Sequence, residues 1–178
     1  MQRKNIKGPR IGYIGFLTGE RLDIALLEKL AALKSEWQLV LIGPEETMFQ
    51  QSLLHQMSNV HFLGAKKGEV LPNYLKHLDV CINPQLINDL TIGNYPRKID
   101  EYLAMGKPTV ATETPAMKMF LPHVYLAKGV NDYIHAIEKA LQPASESRSS
   151  SAIQFAKSHT WKSCVDKIYH VQNSLVNA

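Results

Sequence analysis

The feature that most constrains this chain is an alternation of short apolar runs with amphipathic stretches. Residues 37–43 read WQLVLIG and residues 78–83 read LDVCIN, near-continuous apolar segments of strand length. Such runs fit a parallel sheet covered on both faces, where neither side of a strand meets water. Residues 10–15 (RIGYIG), 60–64 (VHFLG), 109–112 (TVAT) and 124–127 (VYLA) are shorter segments of the same kind. Helical patterns lie between them. Asp23 is placed to cap a helix through Leu33, with Leu26, Leu27, Leu30 and Leu33 at helical spacing. Residues 45–57 read as a second helix, residues 68–77 as helical in part despite Pro72, and residues 131–141 as a helix carrying Tyr133, Ile134, Ile137 and Leu141. The alternation predicts an α/β domain: a Rossmann-like parallel sheet with helices on both faces.

Ligands of such sheets bind beyond the carboxyl ends of the strands. Gly15, Gly43, Gly64 and the segment 84–95 all fall at such ends. That segment is longer than the usual connection, and long loops in compact domains tend to be functional. It leads into NYPRKIDEYLAMGKPTVAT, residues 94–112. Pro96 suits the first turn of a helix and Gly106 the left-handed position just past its end, while Pro108 prevents the helix from resuming. Arg97 and Lys98 then stand at the end of the helix that is already partly positive, where stability alone would favour acids. The conflict points to an anion completing the site, because free N–H groups and a lysine form a phosphate clamp. Glu101 emerges on the same face as Lys98. A cation for phosphate and a carboxylate for sugar hydroxyls are what a nucleoside diphosphate would need. The bland alternative is a surface helix with a Lys–Glu ion pair.

Composition narrows the function classes. A chain of 178 residues can bury a sizeable core, and 45% apolar with 20% charged residues is ordinary for a globular protein. The net charge of +4 comes partly from Arg3, Lys4, Lys7 and Arg10, read as a solvated lead-in. No aromatic platform or recognised motif accompanies them, so no nucleic-acid partner is expected. Cys81 and Cys164 have neither metal nor redox spacing. Cys81 lies inside an apolar strand, and a reducing, cytoplasmic setting is the simplest inference. No secretory signal and no run of membrane-spanning length is visible. The seven histidines show no ligand spacing, and no metal site is expected. Residues 1–9 read as a leader and residues 10–142 as the domain. Residues 143–151, PASESRSSS, read as a polar hinge of low complexity. Residues 152–178 read as a closing helical segment, its pattern running from Ile153 to Leu175 through Trp161, Val165 and Ile168.

The run at residues 94–112 resembles the donor-binding segment of GT-B glycosyltransferases, family-4-like enzymes of surface polysaccharide synthesis. These share a Pro-x-Lys-x-x-Glu-Tyr-Leu-Ala-x-Gly-Lys-Pro-x-Val pattern. Residues 59–84, NVHFLGAKKGEVLPNYLKHLDVCINP, look like the preceding segment of the same domain, and IGYIGFL at residues 11–17 looks like its first strand and glycine turn. Residues 153–175 are similar to the closing helix that returns towards the partner domain. The resemblance covers about residues 10–175 and implies the C-terminal, donor-binding half of a GT-B fold.

The resemblance further implies roles. Lys98 would hold the diphosphate of a nucleotide-sugar donor such as a UDP- or GDP-sugar and stabilise charge on the leaving group, with Arg97 assisting. Glu101 would hold the ribose hydroxyls. The turn at Gly15 and Phe16 would let backbone approach the phosphates, with a plain tight turn as the alternative for Gly15. Backbone at Gly64 to Lys66 would contact the base. No Asp-x-Asp motif occurs, so neither a metal nor another cofactor is expected. The acceptor groups would come from an N-terminal domain or a separate partner subunit. Any peripheral membrane association would run through that missing half, and apolar surface should be exposed where it sits. One position departs from the pattern: Gly93 stands eight residues before Glu101, where the family often shows a Glu, and the nearby acid is Asp89. The implied activity is transfer of a hexose-type sugar to a saccharide or lipid-linked acceptor. A non-catalytic nucleotide-sugar sensor and a scaffold domain are the alternatives.

Overall fold

The computed structural model describes residues 6–143 and 146–159. Six strands form one sheet: β1 (Arg10–Ile14), β2 (Gln38–Ile42), β3 (Val60–Phe62), β4 (Val80–Asn83), β5 (Thr109–Thr112) and β6 (Tyr125–Ala127). Their order is β3-β2-β1-β4-β5-β6, and every pairing is parallel. The chain lays down β1 to β3 in one direction, then crosses back to add β4 to β6 on the other side of β1. The order therefore reverses between β1 and β4, which is where an open α/β sheet forms a crevice.

Helices cover both faces. They are α1 (Ile24–Leu33), α2 (Thr47–Gln50), α3 (Leu71–Leu75), α4 (Lys98–Ala104), α5 (Val130–Leu141) and α6 (Glu146–Ser158). Alternation along each strand divides the core in two. Leu39, Leu41, Val80 and Ile82 pack with Leu27 and Leu30 of α1, Phe49 of α2 and Ile137 of α5. Val40, Ile42 and Cys81 pack with Leu75 of α3, Ile99, Tyr102 and Leu103 of α4, and Ala152 and Ala156 of α6. Right-handed crossovers require this division, because connections running towards β3 and towards β6 lie on opposite faces.

Three local readings change. The expected helix over residues 45–57 is a four-residue α2 followed by a tight turn of 3-10 helix at Leu53–Gln56. The Ser52 hydroxyl donates to the Phe49 carbonyl at 2.7 Å, and Glu28 of α1 accepts the Leu53 N–H at 3.0 Å. Both bonds satisfy groups that a continuous helix would have used, a competition typical of serine. The break lets Phe49 and Leu54 both reach the core. The polar stretch expected as a hinge at residues 143–151 is helical from Glu146 onward. Its helix is held by packing against α4 rather than by its own composition. Arg10 begins β1 as expected for residues 10–15, but its side chain is not the solvated one of a lead-in. Its guanidinium meets Asp79 at 3.0 Å and its backbone N–H donates to the same carboxylate at 2.7 Å. Arg3, Lys4, Cys164 and the part of the expected closing segment beyond residue 159, including Trp161, Val165, Ile168 and Leu175, lie outside the described residues.

Candidate functional site at the switch point

The sequence of α4 closes as its glycine predicts. Gly106 takes φ +64, its N–H donates to Leu103 and the Lys107 N–H donates to Tyr102, both at 2.9 Å. This paired closure satisfies the last carbonyls of the helix. At the other end the Pro96 carbonyl accepts the Ile99 N–H at 2.9 Å, and Lys98 is the first helical residue. Ile99, Tyr102 and Leu103 anchor the inner face. Lys98 is thereby set above the carboxyl end of β1.

The Lys98 ammonium donates to the Tyr13 hydroxyl and lies 4.2 Å from the centre of the Tyr13 ring. Burial drives its pKa down to about 8, against the charge of Glu101, with Arg21 adding to the depression. Among the described residues no carboxylate forms an ion pair with it. A half-buried cation held only by neutral groups marks a candidate binding position.

Gly15 closes the other wall. Its φ is +149, and a Cβ there would lie 2.8 Å from the Tyr13 hydroxyl and 3.0 Å from the Lys98 ammonium nitrogen. Gly43 at the end of β2 approaches still closer, since its Cβ would fall 1.8 Å from the Gly15 carbonyl oxygen. The N–H of Gly15 donates to Ile42 at 2.9 Å and that of Leu17 to Pro44 at 2.9 Å, so the β1–β2 pairing continues past both glycines.

Gly15, Phe16 and Lys98 thus come together. The Phe16 side chain is exposed, and its carbonyl accepts the Tyr13 hydroxyl at 3.4 Å. Arg97 is exposed beside Lys98. Glu101 is exposed one turn further along α4 and does not pair with Lys98. Gly64 sits at the end of β3, two strands from β1 and so roughly 10 Å away by strand spacing. It takes φ +67 with open space around it. Lys66 is not extended into solvent: its ammonium folds back on the Leu63 carbonyl and lies 5.7 Å from the Tyr74 ring centre.

The segment 84–95 is pinned to the turn after β1. Asp23 N–H donates to Pro84 at 2.9 Å, Leu86 N–H to Arg21 at 2.8 Å, and the Asn88 amide to Glu20 at 2.8 Å. Asp89 is exposed on this segment, and Gly93 has open space where a Cβ would stand. A cavity of about 360 Å³ opens nearby, lined by Asp23, Lys29, Gln85, Thr112 and Lys128 among others. It does not include Lys98 or Gly15. Its buried polar groups are already engaged, Gln85 with the Thr91 carbonyl at 2.6 Å and Thr112 with Tyr133 at 2.9 Å. The half-buried cation without a carboxylate partner lies at the switch-point corner, outside this cavity. Along the same rim Phe16, Met48, Ile87, Leu90 and Ile92 expose large apolar side chains. Among the described residues no cluster of His, Cys, Asp and Glu could hold a metal ion, and no helix is long and apolar enough to cross a membrane.

Tyr13 touches Lys98 at the candidate site and Tyr102 braces the strand end beside it, and neither has a role in the sequence-based expectation. Tyr13 lies within the apolar run of residues 10–15, and Tyr102 within the run of residues 94–112, with nothing in either spacing to single it out. Their hydroxyls were the available signal, because a buried phenol seeks a partner.

A sequence model of the family described as Glycosyl transferases group 1 matches residues 8–143. TuaH of Bacillus subtilis (strain 168), named for a glycosyltransferase role in teichuronic acid biosynthesis, is 30% identical over 164 residues, covering 87% of this chain and 41% of that protein. The Anabaena protein Alr3699/HepE, solved in complex with UDP and glucose, superposes with a TM-score of 0.65 at 18% identity, covering 96% of this chain and 48% of its own. AviGT4, a glycosyltransferase involved in avilamycin A biosynthesis, gives 0.67 at 17% identity, covering 95% and 52%. The chain therefore spans about half the length of the proteins it matches. The two structural likenesses speak to fold, the Rossmann-like sheet that makes up half of a GT-B architecture. With the family model matched across the whole sheet, this chain belongs to the group 1 glycosyl transferases.

Proposed function

We propose that this chain is the donor-binding half of a glycosyltransferase, holding a nucleoside diphosphate sugar whose hexose-type sugar passes to a saccharide or lipid-linked acceptor in polysaccharide biosynthesis. The observation that carries the proposal is the Lys98 ammonium, half-buried at the switch point against Tyr13 and the Gly15 turn, without a carboxylate partner among the described residues. A diphosphate is the group that such a corner suits. Lys98 would bind it and stabilise charge on the departing phosphate oxygen, with Arg97 beside it. The backbone at Gly15 and Phe16 would approach the phosphates, Glu101 would accept from the ribose hydroxyls, and Gly64 to Lys66 would flank the base. The bond from the sugar to the diphosphate breaks as one forms to an acceptor hydroxyl. The groups that hold the acceptor would come from a further domain or partner subunit against the apolar rim, in a cytoplasmic setting. The roles need no metal. HepE, which shares this fold, has been solved with UDP.

Calorimetric titration with UDP, GDP and ADP tests the reading. One of them is expected to bind, and Lys98→Ala and Glu101→Ala are each expected to weaken it. Absence of binding by all three at millimolar concentration would overturn it. One observation favours a second reading, a non-catalytic nucleotide-sugar sensor: Gly93 and open space occupy the position where the resemblance leads one to expect a carboxylate. Sugar transfer by the full-length protein decides between the two.

A further inference from the structure

The corner at Lys98 contains a feature that donor binding alone does not require. A lysine that only ties the fold together is met by acids or by backbone carbonyls, as Lys107 is by those of Lys76 and Leu78 at 2.8 Å. Here its partner is a phenol that is itself 2% exposed, at the end of the central strand. We infer that Tyr13 is a positioning residue: its neutral hydroxyl holds the Lys98 ammonium at the Gly15 turn without cancelling its charge, leaving that charge for a diphosphate. The inference rests on the donor-binding reading and assigns the residue that prepares its cation.

The geometry supports three parts of this role. First, the phenol bridges the two walls of the corner, accepting from Lys98 of α4 and donating to the Phe16 carbonyl at 3.4 Å. Second, the ring face below the ammonium adds a cation–π attraction that orients the cation and supplies no countercharge. Third, burial pushes the Tyr13 phenol well above its ordinary pKa, so it stays neutral throughout the range in which lysines titrate. The groups facing the ammonium are Tyr13 from β1, Arg21 from the turn after β1, and Glu101 from α4 itself. Arg21 disfavours the charge and Glu101 favours it, while burial dominates both. The ammonium is therefore held in place yet easily deprotonated, and an arriving diphosphate should fix its proton.

The test is calorimetric titration of the whole chain with UDP across the neutral to alkaline range. Wild-type affinity should decline as pH rises through about 8, where Lys98 loses its proton. The slope should approach tenfold per pH unit, the limit for one linked proton. In Tyr13→Phe the ring remains and the acceptor is lost. Affinity near neutral pH should fall by about tenfold or more, as for a lost hydrogen bond to a charged group, and the decline should begin at lower pH. Lys98→Arg, whose charge does not titrate here, should bind with a flat profile. A Tyr13→Phe variant with wild-type affinity and an unshifted profile would overturn the role of Tyr13 while leaving donor binding intact. Failure of the wild-type chain to bind UDP, GDP or ADP would overturn the underlying reading instead. Should Tyr13→Phe not fold, carbon NMR of the Lys98 side chain in the wild type gives the answer. Lys98 side-chain signals shifted by the Tyr13 ring, and still shifted with UDP bound, support the inference, and signals at ordinary lysine positions overturn it.

Discussion

The Tyr102 hydroxyl accepts the backbone N–H of Ile14 at 2.9 Å, across 88 residues of sequence. Strand β4 pairs with β1 only at Ile11 and Gly12, so the end of β1 has no neighbour on that side. A side chain from α4 supplies the missing acceptor. It thereby fixes the helix that carries Lys98 to the strand that carries Tyr13 and leads to Gly15. Tyr102→Phe should leave a buried N–H unpaired and cost about 1–3 kcal/mol. Urea unfolding would measure it, and an unchanged midpoint would mean that water or another group serves Ile14 equally well.

The two glycines at the ends of β2 and β3 should respond differently to alanine. At Gly43 the new Cβ meets the Gly15 carbonyl at 1.8 Å with φ at +156, and no flexible side chain is there to yield. Backbone strain and overpacking together should cost more than about 3 kcal/mol. Gly64 has φ +67 and empty surroundings. Gly64→Ala should cost only the left-handed penalty of about 1–2 kcal/mol. Equal losses in chemical denaturation would contradict the close approach of the first two strand ends.

Glu101 tests the nucleoside end of the proposed site. It is exposed and does not pair with Lys98, so its removal should hardly change stability. Glu101→Ala should weaken UDP binding by about tenfold or more, the scale of a charged hydrogen bond. A dideoxyribose analogue of UDP should bind wild type and variant alike. Calorimetry with both ligands checks this, and equal losses for the two would remove the ribose role.

Acid stability should report on Arg10 and Asp79. Burial opposes the Asp79 charge, but hydrogen bonds from the Arg10 side chain and backbone, with the charges of Arg10 and Lys107, outweigh it and hold its pKa below the ordinary value. A carboxyl lowered in the folded state contributes stability that is complete above its unfolded pKa and is lost as pH falls through the folded one. The pair is about one-third exposed, so the contribution is modest. Asp79→Asn should lower the thermal midpoint at neutral pH, and the two proteins should converge as the acid range is entered. A gap that widens on acidification would rule out this pair as its source.

The sheet was legible because its strands are short and apolar on both faces, as at residues 37–43 and 78–83, and because glycines mark their ends. Asp23 capped α1 as its position predicts, with its side chain accepting the Leu26 N–H at 2.9 Å. Gly106 and its neighbours closed α4 in the expected way. What escaped was tertiary in origin. Ser52 broke a helix by bonding its own turn, and α6 formed in a polar stretch because α4 gave it a surface. At the corner, Lys98 and Gly15 could be picked out by residue type and spacing. The partner of Lys98 could not, because helical spacing pointed to Glu101 whereas the fold brings Tyr13 there from 85 residues away.

The stretch between Pro84 and Tyr95 is fastened to its neighbours at Glu20, Arg21 and Asp23, and to itself through Asn88 and Thr91. It is masonry rather than a hinged flap. Changes along its outward residues, Ile87, Leu90 and Ile92, would recut the exposed apolar contour of this stretch without loosening its anchorage.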